Sequence, residues 1–191
     1  MTQLTAFTVI GYFWAALGLV WFAGIAFSKA TLRRQPAGPR LFHLVIAFMG
    51  FTLLGSKYFT TGWLAIRVLP DRSWIELAGV LLTAMGCGFA IWARITIGAN
   101  WSGQATLKRS HELITTGPYA FARHPIYTGL LAGALGSALV IGELRCALGI
   151  LLILLALLIK MSQEEKLMTE AFPDAYPKYR AHVKALIPGV L

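Results

Sequence analysis

The sequence predicts an all-α polytopic membrane protein, and three observations carry that expectation. Of its 191 residues, 57% are hydrophobic and only 13% charged, a balance far from that of soluble domains. The apolar residues gather into five runs of membrane-spanning length, 7–27, 41–59, 74–97, 126–142 and 144–159. A hydrocarbon core of roughly 30 Å needs about 20 apolar residues per helix, and shorter spans are tolerated where flanking groups snorkel. Finally, Lys and Arg collect on one side of those runs, as loops on the cytoplasmic side do.

The first run has no basic segment before it, exceeds a signal-peptide core and is followed by Lys29, Arg33 and Arg34, so it is expected to stay attached as a span. Pro36, Gly38 and Pro39 turn the chain into the second run. His43, near the start of that run, reads as a solvated or hydrogen-bonded interfacial residue. The connection 58–74 contains Pro70-Asp71-Arg72-Ser73, a turn into a third helix capped by Ser73, with Glu76 placed where the helix dipole favours an acid. Gly79, Gly86, Gly88 and Ala90 give this helix small residues for close packing in lipid. Gly86-Cys87-Gly88 follows no strand and therefore is not read as a nucleotide fingerprint. Cys87 and Cys146 lie within spans, outside any CxxC or Cys/His spacing, and read as buried apolar residues with no metal or disulfide role.

Only Glu143 separates Gly142 from the fifth run at Leu144, with Arg145 just beyond, so the fourth and fifth spans should form a tight helical hairpin. Gly129, Gly133 and Gly136 supply the fourth with a packing face. With the amino terminus outside, Lys57, Arg67, Arg72 and Arg145 are external, and the larger group from Lys29 to Lys184 is cytoplasmic. The connection before the fourth span and the carboxyl terminus then share the cytoplasmic face, in a membrane expected to be prokaryotic. The net charge of +9 flanks spans rather than a soluble face, which points to anionic lipid and away from nucleic acid. One membrane domain, 1–191, is expected, with a two-helix portion 1–72 and a core 73–191.

The chemistry concentrates in 111–129, where His, Arg, Tyr, Gly and Pro crowd together. Pro125 suits a first helical position, and His124 before it is biased to an extended conformation. With Arg123 and His124, this helix start reads equally as an anion site or as a positive interfacial cap. The turn 98–104 has two glycines and an Asn suited to a pocket-lining loop. Arg94, near the end of its span, either anchors at the interface or faces the pocket. Glu164 and Glu165 continue the fifth helix past the bilayer, where one carboxylate can accept hydrogen bonds from sugar hydroxyls or an ammonium; a solvated helix face is the competing reading. Phe172, Tyr176, Tyr179 and Val183 mark a partly helical amphipathic tail interrupted by Pro173 and Pro177, lying on the membrane or closing the pocket.

The series Gln104, His111-x-Leu113-Ile114, Gly117-x-Tyr119, Arg123-His124-Pro125-x-Tyr127 and Glu164-Glu165, followed by Phe172, Tyr176 and Tyr179, resembles the isoprenylcysteine carboxyl methyltransferase and phospholipid methyltransferase superfamily over roughly 92–188. The resemblance implies an integral membrane methyltransferase using S-adenosyl-L-methionine, bound by the carboxyl-terminal half rather than by a Rossmann fold. The implied cofactor shell is Gln104, His111, Glu112, Leu113, Ile114, Tyr119, His124, Pro125, Ile126, Tyr127 and Glu164. Lys160 stands where carboxyl-methylating members carry Arg. It keeps the charge but loses the two-pronged carboxylate grip, which counts against a prenylcysteine carboxylate.

Lys160, Glu165 and Arg94 are the candidate catalytic residues, and the expected acceptor is lipidic or small and apolar, entering from the bilayer. An amine or thiol acceptor needs a base, for which Glu165, His111 and Tyr127 are available. Two competing readings are an NADPH-dependent membrane reductase of related architecture and a non-catalytic or haem-binding membrane subunit, the latter using His43, His111, His124 or His182 as ligands.

Overall fold

The computed structural model describes residues 3–25, 31–34, 37–55, 61–101, 106–108 and 112–187. The helices are α1 (Gln3–Ile25), α2 (Ala37–Gly55), α3 (Ser73–Ile97), α4 (Pro125–Ile141), α5 (Leu144–Ala171) and α6 (Ala175–His182). The all-helical architecture carries one addition, a short antiparallel ribbon of β1 (Thr31–Arg34) with β2 (Thr106–Lys108). Backbone pairing there ties the connection after α1 to the connection after α3.

Three helices, α1, α3 and α5, are long and apolar enough to cross a membrane, while the apolar stretches of α2 and α4, Leu41–Gly55 and Pro125–Ile141, are shorter. In lipid there is little hydrophobic gain from helix association, so small residues and interhelical hydrogen bonds carry the packing. The α3–α4 seam follows this rule. A Cβ on Gly86 would lie 2.6 Å from the Gly129 carbonyl oxygen, and one on Gly136 would lie 2.5 Å from that of Gly79. Thr83 of α3 reaches across the same seam, its Oγ1 3.3 Å from the Gly133 carbonyl oxygen and 3.5 Å from Ser137 Oγ. The α2–α5 seam repeats the device, with Gly50 against Gly149. α1 lies on α3 and α4.

The expected α4–α5 hairpin forms. Gly142 ends α4 in the left-handed region, φ 71°, and Glu143 precedes α5. Loop 66–69 docks onto it through Val68 N–H and Leu69 N–H to the Gly142 carbonyl and Leu144 N–H to that of Ile66. Arg145 is buried, pairs with Glu143 and donates to the Leu53 carbonyl at 2.7 Å, joining the hairpin to α2.

Two local expectations need correction. Ser73 is the first residue of α3 and not its cap; Arg72 holds the capping position without a side-chain bond, and its carbonyl receives the Ile75 and Glu76 N–H groups. His43 is only 3% exposed, which removes the solvated reading. Cys87 and Cys146 are free and buried, as expected.

Candidate functional site

The site is assembled where the start of α4, the end of α5 and the tail around α6 meet. α5 runs well beyond its apolar stretch to Ala171, which carries Lys160, Glu164 and Glu165 beside the first turn of α4. Pro125 opens α4 as expected. His124 does not take the extended backbone that proline favours; its ψ of 59° with φ −122° turns the chain sharply into the helix. Its N–H and that of Arg123 donate to the carbonyls of Ala185 and Lys184, at 2.9 and 2.8 Å, and Thr128 Oγ1 donates to that of Leu186 at 2.6 Å. The tail is thus bound to the start of α4 and closes the site.

The two adjacent glutamates have separate duties. Glu165 Oε1 accepts from Arg123 Nε and Nη2 at 2.9 and 2.6 Å, with His124 Nε2 at 3.3 Å, and Arg180 Nε stands 3.6 Å from Oε2. Arg123 Nη1 donates to the Val183 carbonyl at 2.5 Å. The carboxylate held at the start of α4 is the chain's own Glu165. Glu164 Oε2 instead accepts the Tyr127 hydroxyl at 2.6 Å, and His124 Nδ1 lies 3.7 Å away. The His124 and Tyr127 rings stack, centroids 5.3 Å apart and 2° from parallel. Lys160 Nζ lies 5.3 Å from the Tyr127 ring centroid and 3.8 Å from Glu164 Oε1.

A cavity of about 130 Å³ opens beside this cluster. Nine of the eleven expected cofactor-shell residues line it: Glu112, Leu113, Ile114, Tyr119, His124, Pro125, Ile126, Tyr127 and Glu164. Gln104 and His111 lie outside the described residues. Glu165 and Lys160 stand behind the lining, against His124 and Tyr127.

The lining also includes residues that sequence reading did not assign. Asn100 and Trp101 belong to the glycine-containing turn after α3, which was read as pocket-lining only as a loop. Leu167 and Met168 follow Glu164 by three and four positions, so helical spacing would have found them. Tyr176 and Tyr179 come from the tail.

Burial pushes the Tyr179 hydroxyl up to about 12, although the Arg123 cation opposes the shift. Burial likewise raises Tyr119 and Tyr176. These phenols keep their protons at neutral pH, and Tyr179 Oη accordingly donates to the Tyr119 carbonyl at 2.5 Å, locking the tail over the cavity.

Arg94 lies outside the cavity lining. Its guanidinium is buried, donates to the Gly24 carbonyl at 2.7 Å and to that of Gly98 at 2.9 Å, and sits 4.4 Å over the Trp101 ring. It joins the end of α1 to the turn that supplies Trp101 to the cavity wall, a bracing position. Arg94→Ala should cost about 2 kcal/mol of stability, the order of a charged hydrogen bond. Thermal denaturation measures that loss, and ligand affinity should fall less than stability does.

The phospholipid methyltransferase family model matches residues 74–175, a stretch that contains both glutamates and all of the cavity lining except Tyr176 and Tyr179. Protein-S-isoprenylcysteine O-methyltransferase of Schizosaccharomyces pombe is 33% identical over 99 residues, covering 50% of this chain and 42% of that protein. The Homo sapiens protein of the same name is 25% identical over 125 residues, covering 64% of this chain and 44% of its own length. The chain therefore matches less than half the length of these relatives. A solved eukaryotic intramembrane Ras methyltransferase, isoprenylcysteine carboxyl methyltransferase, aligns with a TM-score of 0.59 over 82% of this chain and 55% of that one, at 22% identity. The fold is common to both.

Proposed function

From the premise that this chain belongs to the phospholipid methyltransferase family and is an integral membrane protein, we propose that it transfers a methyl group from S-adenosyl-L-methionine to a lipidic or small apolar acceptor. One observation carries this reading: the Tyr127–Glu164 pair, at 2.6 Å, faces a cavity lined by nine of the residues expected around that cofactor.

The donor set fits such a ligand. Ile97, Trp101, Leu113, Ile114 and Ile126 offer apolar and aromatic surface for an adenine ring, and Glu112 and Glu164 offer acceptors for ribose hydroxyls or an ammonium. The 130 Å³ of the cavity is below the roughly 300–1,000 Å³ of typical small-molecule pockets, so a ligand of this size must extend through its mouth or move the lining. When bound, S-adenosyl-L-methionine supplies an electrophilic methyl group on a sulfonium.

The chain's own contributions are orientation and shelter. Tyr127 fixes Glu164 by a charge-assisted hydrogen bond. Arg123 and His124 hold Glu165, which in turn fixes the His124 ring against Tyr127. The tail excludes water, which favours a reaction in which a sulfonium and an anionic acceptor lose their charges together. Lys160, beside the Tyr127 ring, provides a cation for an acceptor arriving from the bilayer, though without the bidentate geometry of an arginine. Glu165 acts in this scheme through His124, and Arg94 through Trp101.

The relatives named above are S-isoprenylcysteine O-methyltransferases, and the same acceptor class is a starting point here. The wider reading has one membrane domain, 1–191, with five spans, the amino terminus outside and the site at the cytoplasmic face of a prokaryotic membrane; the distribution of Lys and Arg supports the orientation. The family match favours neither the haem nor the NADPH reading.

The test is incubation of reconstituted protein with methyl-labelled S-adenosyl-L-methionine and farnesylcysteine, phosphatidylethanolamine or a long-chain thiol. Label is expected in the organic phase with at least one acceptor. Label absent from all of them, in protein that binds the cofactor product, would contradict an apolar acceptor of these classes.

A further inference from the structure

The first helix reaches the candidate cofactor cavity, although α1 lies outside the stretch 74–175 that the family model matches. Contact runs through Trp101, which lines the cavity from the turn after α3. The Trp21 ring of α1 meets Trp101 edge-on, with centroids 5.8 Å apart and planes at 82°, a favoured aromatic geometry. Both tryptophans pack on the apolar cluster that includes Tyr119 and Tyr127. From α3, the Arg94 guanidinium lies over the Trp101 ring, 4.4 Å from its centroid.

Backbone atoms fix that cation. Arg94 Nη1 donates to the Gly98 carbonyl, which also accepts the Trp101 N–H at 3.2 Å, so one oxygen sets both cation and ring. Nη2 reaches across to the Gly24 carbonyl at 2.7 Å. That approach requires glycine, since a Cβ on residue 24 would overlap Nη2 and lie 2.7 Å from Arg94 Cζ. The obstacle is the far end of a long side chain, so Gly24→Ala moves the guanidinium and spares the helix backbone. The buried Nε meanwhile finds no acceptor among the described residues. An unmet buried donor is costly, which an arginine placed for its own hydrogen bonds alone would avoid.

We propose that Trp21 and Gly24 are positioning residues of the cofactor site: Trp21 sets Trp101 through ring contact, and Gly24 admits the guanidinium that covers it. α1 is then part of the site, supplied from outside the matched stretch. The consequence for ligand affinity rests on the S-adenosyl-L-methionine reading; the placement of Trp101 does not.

The experiment uses the full chain in detergent, labelled with fluorotryptophan, and reads the Trp101 resonance by fluorine NMR, assigned from its loss in Trp101→Phe. Gly24→Ala alters neither ring, yet the Trp101 resonance is expected to shift. In an Arg94→Ala background the same substitution should leave it in place, because no guanidinium remains to be displaced. A resonance unmoved by Gly24→Ala, or moved equally in both backgrounds, would overturn the role of Gly24. S-adenosylhomocysteine affinity should fall about 3- to 10-fold in Gly24→Ala and in Trp21→Ala, the scale of a desolvated ring contact. Trp21→Phe should restore most of it, and Trp21→Ala should add nothing once Trp101 is already alanine. Full additivity of those two losses would overturn the role of Trp21. If the wild type binds no S-adenosylhomocysteine, the cofactor reading fails on its own, and the Trp101 resonance still decides the positioning.

Discussion

Arg123→Ala is expected to release the carboxyl-terminal tail and abolish measurable binding of S-adenosylhomocysteine. The Arg123 and Glu165 side chains are only 9% and 12% exposed. Removing the guanidinium leaves a buried carboxylate facing His124 and a more distant Arg180, and breaking such a pair typically costs about 3–5 kcal/mol. The same change deletes the bond from Arg123 to the Val183 carbonyl, one of the ties that hold the tail over the cavity. Limited proteolysis should therefore cut after α5 in the variant and spare the wild type, with a large drop in melting temperature. Glu165→Gln keeps the shape and should have a smaller effect in the same direction. A variant with an intact, protease-resistant tail would contradict the role given to Arg123.

Tyr127→Phe is expected to weaken S-adenosylhomocysteine about 10- to 100-fold, because a hydrogen bond to a charged group contributes about 1.5–3 kcal/mol. The phenol donates to Glu164 Oε2 at 2.6 Å, while Lys160 stands 3.8 Å from Oε1. Losing the hydroxyl leaves the carboxylate in place but free to rotate away from the cavity. Glu164→Gln should weaken binding by a similar factor. The double variant should lose less than the sum of the two, since both changes remove one interaction. Melting temperature is the control. A large fall in stability with unchanged affinity would make the pair a structural clamp and not a ligand contact.

Much of this arrangement was legible in the chain because membranes constrain sequence severely. The apolar runs had to be helices, and Gly142 followed by Glu143 had to turn. Pro125 opened α4 for a local reason, the missing N–H at its first position. The motif residues around Tyr127 and Glu164 converge on one cavity because α5 extends past its apolar stretch, to Ala171, beside the start of α4.

What was missed depends on contacts between distant segments. No local pattern tells that Arg123 meets Glu165, 42 positions away, rather than an external anion. Arg94 reads equally as an interfacial anchor or a pocket residue, because a cation near a span end is expensive; in the fold its two terminal nitrogens donate to the backbone carbonyls of Gly24 and Gly98, away from the cavity lining. The tail was read as lying on the membrane or closing the pocket. Pairing of the Arg123 and His124 N–H groups with Lys184 and Ala185 favours closure, and backbone bonds of that kind leave no side-chain signature.

Calorimetric titration of the detergent-purified protein with S-adenosylhomocysteine tests the central claim most directly, since it needs no knowledge of the acceptor. Saturable one-to-one binding, weakened by Tyr127→Phe, is the expected result. Absence of binding to folded protein, in detergent and again in lipid, would contradict the cofactor assignment and leave only the fold in common with the methyltransferases.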